Sequence, residues 1–155
     1  MIEGVIIREL KPIPDERGWL MELMRSDWEI FERFGQVYLT TLYPRVVKAW
    51  HYHKTQTDNM ICIKGMTKLV LFDSRKSSPT FEQLSEIFFG DENPLLVKIP
   101  PLVCHGLKSI GEVTSYVINV PTAPYNYNKP DEYRLPPDTK SITYDWGLEP
   151  GLKHG

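Results

Sequence analysis

His51 and His53 stand two residues apart in the stretch AWHYHKTQTDNMICIKG (49–65), so on an extended strand both imidazoles leave the same face of a sheet. Asp58 follows a short polar turn. Met60, Cys62 and Lys64 then alternate with Ile61 and Ile63 up to Gly65, the pattern of a second strand pairing back on the first. His105 comes much later, behind a proline pair, in IPPLVCHG (99–106). Three imidazoles and a carboxylate meeting in one cavity suit a divalent metal or proton transfer. A single histidine on a strand is more often a hydrogen-bonded structural residue. Here only His154, in the tail, lies outside the two stretches among four histidines, and that clustering favours a shared site.

The elements that must position these residues are short. Residues 5–10 read as an edge strand ended by Lys11-Pro12-Ile13-Pro14, because proline cannot donate to a ladder. Residues 19–23 resume the strand pattern. Ser26 and Asp27 are placed to cap a helix over 28–34, where Trp28, Phe31 and Phe34 recur at helical spacing before Gly35. Strands are expected at 37–42, 46–50, 60–64, 68–72, 81–89, 95–99, 107–109 and 114–120, the regular spacing of a sandwich or barrel. After Val120, prolines alternate with tyrosines, which predicts an ordered irregular tail lying over the barrel. The expected fold is therefore all-β: one antiparallel jelly-roll domain over 1–155, with one short helix and a Pro/Tyr-rich C-terminal segment.

A length of 155 residues suits one domain with a sizeable core. A net charge of −2 provides no basic field for nucleic acid or an anionic membrane. Cys62 and Cys104 sit in apolar strand sequence outside any CxxC pair, which suggests a reduced, cytoplasmic chain. The N-terminus enters MIEGVIIREL directly, without a charged-then-apolar leader, and reads as soluble and unexported.

The spacing His51, His53, Asp58, Gly65 resembles the first signature of the cupin superfamily, with aspartate for the usual glutamate. Pro100, Leu102 and His105 resemble the second, with leucine for glycine. That resemblance implies a divalent metal held by His51, His53, Asp58 and His105.

Nearly the whole chain also resembles the dTDP-4-dehydrorhamnose 3,5-epimerase family, through Asp15-Glu16-Arg17-Gly18 with Glu22, KAWHY at 48–52, SPTF at 78–81, Asp91-Glu92-Asn93, IPPLVCHG, Ser115-Tyr116 and Asp145-Trp146. The resemblance implies that His51 removes a proton alpha to the C4 ketone of a nucleotide-linked 4-keto-6-deoxy sugar. It further implies that Asp145 orients His51, that Tyr116 protonates the opposite face, and that no cofactor is needed. Arg17, Glu22, Lys48 and His105 are the expected substrate-binding residues, in a homodimer whose exposed N-terminal strand pairs with its partner. The chain departs from the family at Asp58, where a lysine is usual, and at Lys48, where an arginine is usual. A bare carboxylate about 4 Å from an enolate is repulsive by roughly 4 kcal/mol at an effective dielectric near 20. Either a metal neutralises Asp58, or Lys48 or Lys54 replaces the missing cation, or the chain is not a 3,5-epimerase. Three functions stand at this point: an epimerase or ketoisomerase, a metal-centred cupin isomerase, oxygenase or lyase, and a non-catalytic sugar-binding module.

Overall fold

The computed structural model describes residues 1–155. In chain order the strands are β1 (Ile6–Glu9), β2 (Ile13–Asp15), β3 (Gly18–Leu20), β4 (Tyr38–Leu42), β5 (Val47–Tyr52), β6 (Asp58–Lys64), β7 (Met66–Asp73), β8 (Leu84–Gly90), β9 (Leu95–Ile99), β10 (Val103–Ser109), β11 (Ser115–Asn119) and β12 (Tyr133–Arg134). Two five-stranded antiparallel sheets, β1-β9-β6-β11-β4 and β12-β5-β10-β7-β8, form the jelly roll, and β2-β3 is a separate hairpin.

Period-two alternation builds the core. Met60, Cys62, Val97 and Val117 of the first sheet meet Leu69, Leu71, Phe89 and Leu107 of the second in one buried cluster. Each such side chain contributes about 1.5–3 kcal/mol of burial. The outer faces are covered too. Val47, Ala49, Trp50 and Val70 pack under Ile142 and Trp146 of the C-terminal segment, while Ile61 and Leu96 pack under Leu10 and Ile30. Gly106 permits the first of these contacts, since a Cβ there would stand 2.4 Å from Ala49 Cβ. Gly65 alone links β6 to β7 at φ +73°, a conformation that suits glycine.

The helix expected over 28–34 does not form. The segment makes turns, with Trp28 N donating to Arg25 O and Phe31 N to Trp28 O. Seven residues are too few to nucleate a helix unaided. Ile30 instead anchors the segment on the sheet, and the Arg8 guanidinium lies 3.9 Å from the Trp28 ring centroid. Both cysteines are buried and free. No helix is long and apolar enough to cross a membrane.

Candidate active site

A cavity of about 650 Å³ opens between the sheets, with Tyr38, Thr40 and Met60 contributed by the first, Lys48, His51 and His105 by the second, and residues 123–134 forming its rim. That size suits a small-molecule ligand. A bulge shapes its wall: His105 pairs with His51 but Leu107 pairs with Lys48, giving β5 one extra residue. Lys48 and His51, three apart, therefore both line the cavity.

His51 Nδ1 lies 3.4 Å from Glu132 Oε1. Arg134 in turn donates to Glu132 Oε1 from Nε at 2.8 Å and Nη2 at 2.6 Å. Burial, then the charges of His105 and Arg134, hold His51 down to about 4 against the opposing pull of Glu132, so the imidazole is neutral at neutral pH. With Nδ1 turned to the carboxylate, Nε2 is the nitrogen that can accept a proton. Lys48 Nζ donates to Thr40 Oγ1 at 3.1 Å, and burial followed by the charge of Arg134 lowers its pKa.

Tyr38 enters from the opposite sheet. Its hydroxyl accepts from Asn119 Nδ2 at 2.9 Å, which leaves the phenolic proton free to be donated. Burial first, then the charge of Asp58, pushes Tyr38 up to about 12, keeping it protonated near neutral pH.

Deeper in the cavity wall, His53, Asp58 and His105 bring their ligand atoms within 4.8 Å of one another. Asp58 Oδ2 lies 3.1 Å from His53 Nε2 and 3.3 Å from His105 Nε2. Its other oxygen accepts from Gln56 Nε2 at 2.8 Å and Asn119 Nδ2 at 2.9 Å. Burial raises the Asp58 pKa, but His105 and His53 outweigh it and hold the carboxyl well below the usual range. Asp58 Oδ2 is nonetheless buried without an aligned hydrogen-bond partner. These three residues fit a metal; His51, turned to Glu132, stands outside the set expected from sequence.

Other expected site residues lie elsewhere. On β11, Ser115, Val117 and Asn119 are buried, so Tyr116 faces outward, with Lys64 Nζ 5.3 Å from its ring centroid. Asp145 is exposed beyond the outer face of the β5 sheet, where its carboxylate accepts from Gly147 N at 2.8 Å. Trp146 beside it occupies the space over Gly106, and that packing holds Asp145 on the side away from the cavity. Arg17 pairs with Asp15 and Glu22 with Arg25, both outside the cavity on or just after the exposed β2-β3 hairpin. Sequence reasoning missed Tyr38, Asn119 and Glu132. The Asp131-Glu132 pair beside Arg134, in an otherwise Pro/Tyr-rich tail, was the available signal for the last.

Residues 1–154 match the family described as dTDP-4-dehydrorhamnose 3,5-epimerase. The chain belongs to that family. It is 41% identical over 150 residues to "Probable low-salt glycan biosynthesis epimerase Agl13" of Haloferax volcanii, covering 96% of each chain. It is 38% identical over 149 residues to the spore coat polysaccharide biosynthesis protein SpsL of Bacillus subtilis, covering 96% of this chain and 99% of the relative. The crystal structure of a dTDP sugar isomerase from Desulfovibrio desulfuricans G20 superposes with a TM-score of 0.89 at 32% identity, over 98% of this chain and 94% of that one. The protein is thus an enzyme of the nucleotide-sugar epimerase family.

Proposed function

We propose that this epimerase inverts C3, C5 or both of a nucleotide-linked 4-keto-6-deoxy sugar, with His51 as base and Tyr38 as acid. The observation that carries the reading is the pairing of His51 Nδ1 with Glu132, on a cavity that Tyr38 enters from the other sheet. His51 Nε2 takes the alpha proton, the C–H electrons move to the C4 oxygen as an enolate, and the Tyr38 hydroxyl protonates the carbon from the opposite side. The phenolate then regains a proton from solvent and the imidazolium releases one, which restores both groups. Glu132 holds the imidazole and favours the imidazolium as it forms.

This chemistry needs no redox or prosthetic group. The three side chains close enough to share an ion are His53, Asp58 and His105, a set without His51, which supports keeping its imidazole for proton transfer. Ile6 and Ile7 of β1 and Trp19 and Leu20 of the hairpin are exposed in the single chain, apolar surface that a homodimer would cover. Arg17 and Glu22 would then meet the nucleotide only across that interface. Two buried free thiols fit a reducing cytoplasm.

The test is incubation in heavy water with a dTDP-linked 4-keto-6-deoxy sugar. Solvent deuterium should enter at C3 or C5 with wild-type enzyme and vanish with His51→Ala. No incorporation by the wild type, with and without divalent metal and across several such nucleotide sugars, refutes the proposal.

A further inference from the structure

We infer that Asp131 is a positioning residue for the base: its carboxylate, seated on backbone amides of the turn between β5 and β6, holds the neighbouring Glu132 against His51. The effect on rate rests on the function proposed above; the arrangement itself can be measured without any reaction.

The segment that delivers Glu132 has little of its own to hold it. Residues 123–130 form no strand, and Pro130, next to Asp131, brings no N–H to a ladder. Asn126 Oδ1 accepts from Asn128 N and Lys129 N, so that turn closes on itself. Residues 123–130 reach the rest of the chain through Tyr125 N, which donates to Gln36 Oε1 at 3.1 Å. Asp131 then ties the segment down. Its Oδ1 accepts from Lys54 N at 2.8 Å, and its Oδ2 accepts from Thr55 N at 2.9 Å, Thr55 Oγ1 at 2.7 Å and Gln56 N at 3.0 Å. Successive amides converging on one carboxylate make a backbone nest, a geometry that binds an anion. Here the anion belongs to the tail and the nest to the turn that follows β5, the strand of His51.

Glu132 is thereby fixed from both sides. Beyond it the chain pairs with β5, Tyr133 opposite Tyr52 and Arg134 opposite His51, but β12 is only two residues long and stands at the edge of its sheet. The anchor at Asp131 supplies the other side. It also opposes a competing pull, since Arg134 Nη2, on a largely exposed side chain, donates to the same Glu132 Oε1 at 2.6 Å. The contact to the base has no slack. His51 Nδ1 and Glu132 Oε1 are 3.4 Å apart, at the outer end of hydrogen-bond range, so a retreat of about 0.5 Å breaks the contact. A misplacement of about 1 Å, even from a change away from the chemistry, can cost about 10²-fold in rate.

The test is a double-mutant cycle on the full chain with a dTDP-linked 4-keto-6-deoxy sugar. Asp131→Ala removes all four bonds yet leaves the backbone carbonyl that accepts from His53 Nδ1, and Thr55→Val removes one of the four without touching the tail. Asp131→Ala should lower kcat about 10-fold to 10²-fold and Thr55→Val about 2-fold to 5-fold, each with KM close to wild type. Both losses should disappear in a Glu132→Ala background, where nothing is left to position. If thermal unfolding shows that Asp131→Ala does not fold, Asp131→Asn and Thr55→Val carry the same cycle. Full activity in the folded Asp131 variant, or losses that persist undiminished without Glu132, overturns the inference. Nuclear magnetic resonance of the His51 ring nitrogens separates it from the proposed reaction. The wild type should hold one tautomer, with the proton on Nδ1, and Asp131→Ala and Glu132→Ala should show a mixture. That pattern in protein that exchanges no deuterium leaves the positioning and removes the epimerase. Deuterium exchange together with an unchanged tautomer in Asp131→Ala does the reverse.

Discussion

His51 and His105 face one another across β5 and β10, with ring centroids 6.3 Å apart, yet their nitrogens serve different carboxylates. His51 turns to Glu132 from the tail, and His105 to Asp58 from the opposite sheet. The division keeps His51 apart from the buried His53–Asp58–His105 cluster within one cavity.

In the proposed mechanism Glu132 positions the base. Glu132→Gln should lower kcat by about 10²-fold, at the low end of what a positioned base contributes, with KM close to wild type. Asp145→Asn should leave both constants unchanged, because Asp145 lies on the outer face. Steady-state kinetics on the two variants decide between these carboxylates, and a loss confined to Asp145→Asn would restore the arrangement expected from sequence.

Tyr38 and Tyr116 make opposite predictions. Tyr38→Phe should still exchange deuterium through removal and return on one face, while inversion falls by roughly 10²-fold to 10⁴-fold. Tyr116→Phe should invert normally. Product stereochemistry by NMR reads both, and normal inversion by Tyr38→Phe would remove the phenol from the mechanism.

Asp73 is fully buried and accepts hydrogen bonds from Arg75, Ser78 and Thr80. Burial raises its pKa, but these bonds outweigh that and hold it well below the usual value. A depressed folded-state pKa gives stability that is present above the unfolded value of about 3.9 and lost as pH falls through the folded one. Asp73→Asn should therefore cost about 1–3 kcal/mol near neutral pH and flatten the acid limb of the stability curve. Urea denaturation at several pH values checks this, and parallel wild-type and mutant curves would contradict it.

Leu102 has φ +62°, with its N–H donating to His53 O at 2.7 Å and its carbonyl accepting from Ser74 Oγ at 2.6 Å. The left-handed conformation costs a leucine about 1–2 kcal/mol, partly offset in a glycine variant by the greater freedom of the unfolded chain. Leu102→Gly should therefore raise the denaturation midpoint, by up to about 1 kcal/mol in stability. A lower midpoint would show that the leucine side chain contributes more than its backbone costs.

The sequence alone determined the all-β architecture, because alternation in 60–64, 68–72 and 95–99 is a local property that survives in β6, β7 and β9. It also grouped His51, His53, Asp58 and His105, of which the structure brings the ligand atoms of the last three within 4.8 Å of one another, and it carried the family resemblance through motifs spread over the whole chain. Tertiary structure decided which face of each strand looks inward. Alternation puts Tyr116 and Asn119 on opposite faces but cannot choose between them when both faces of the sheet are covered. The extra residue in β5 likewise broke the parity that would have separated Lys48 from His51. Glu132 reaches His51 from an irregular segment without periodicity, and the helix at 28–34 yielded to the packing of Ile30. Those outcomes depend on contacts between distant parts of the chain, which local pattern does not encode.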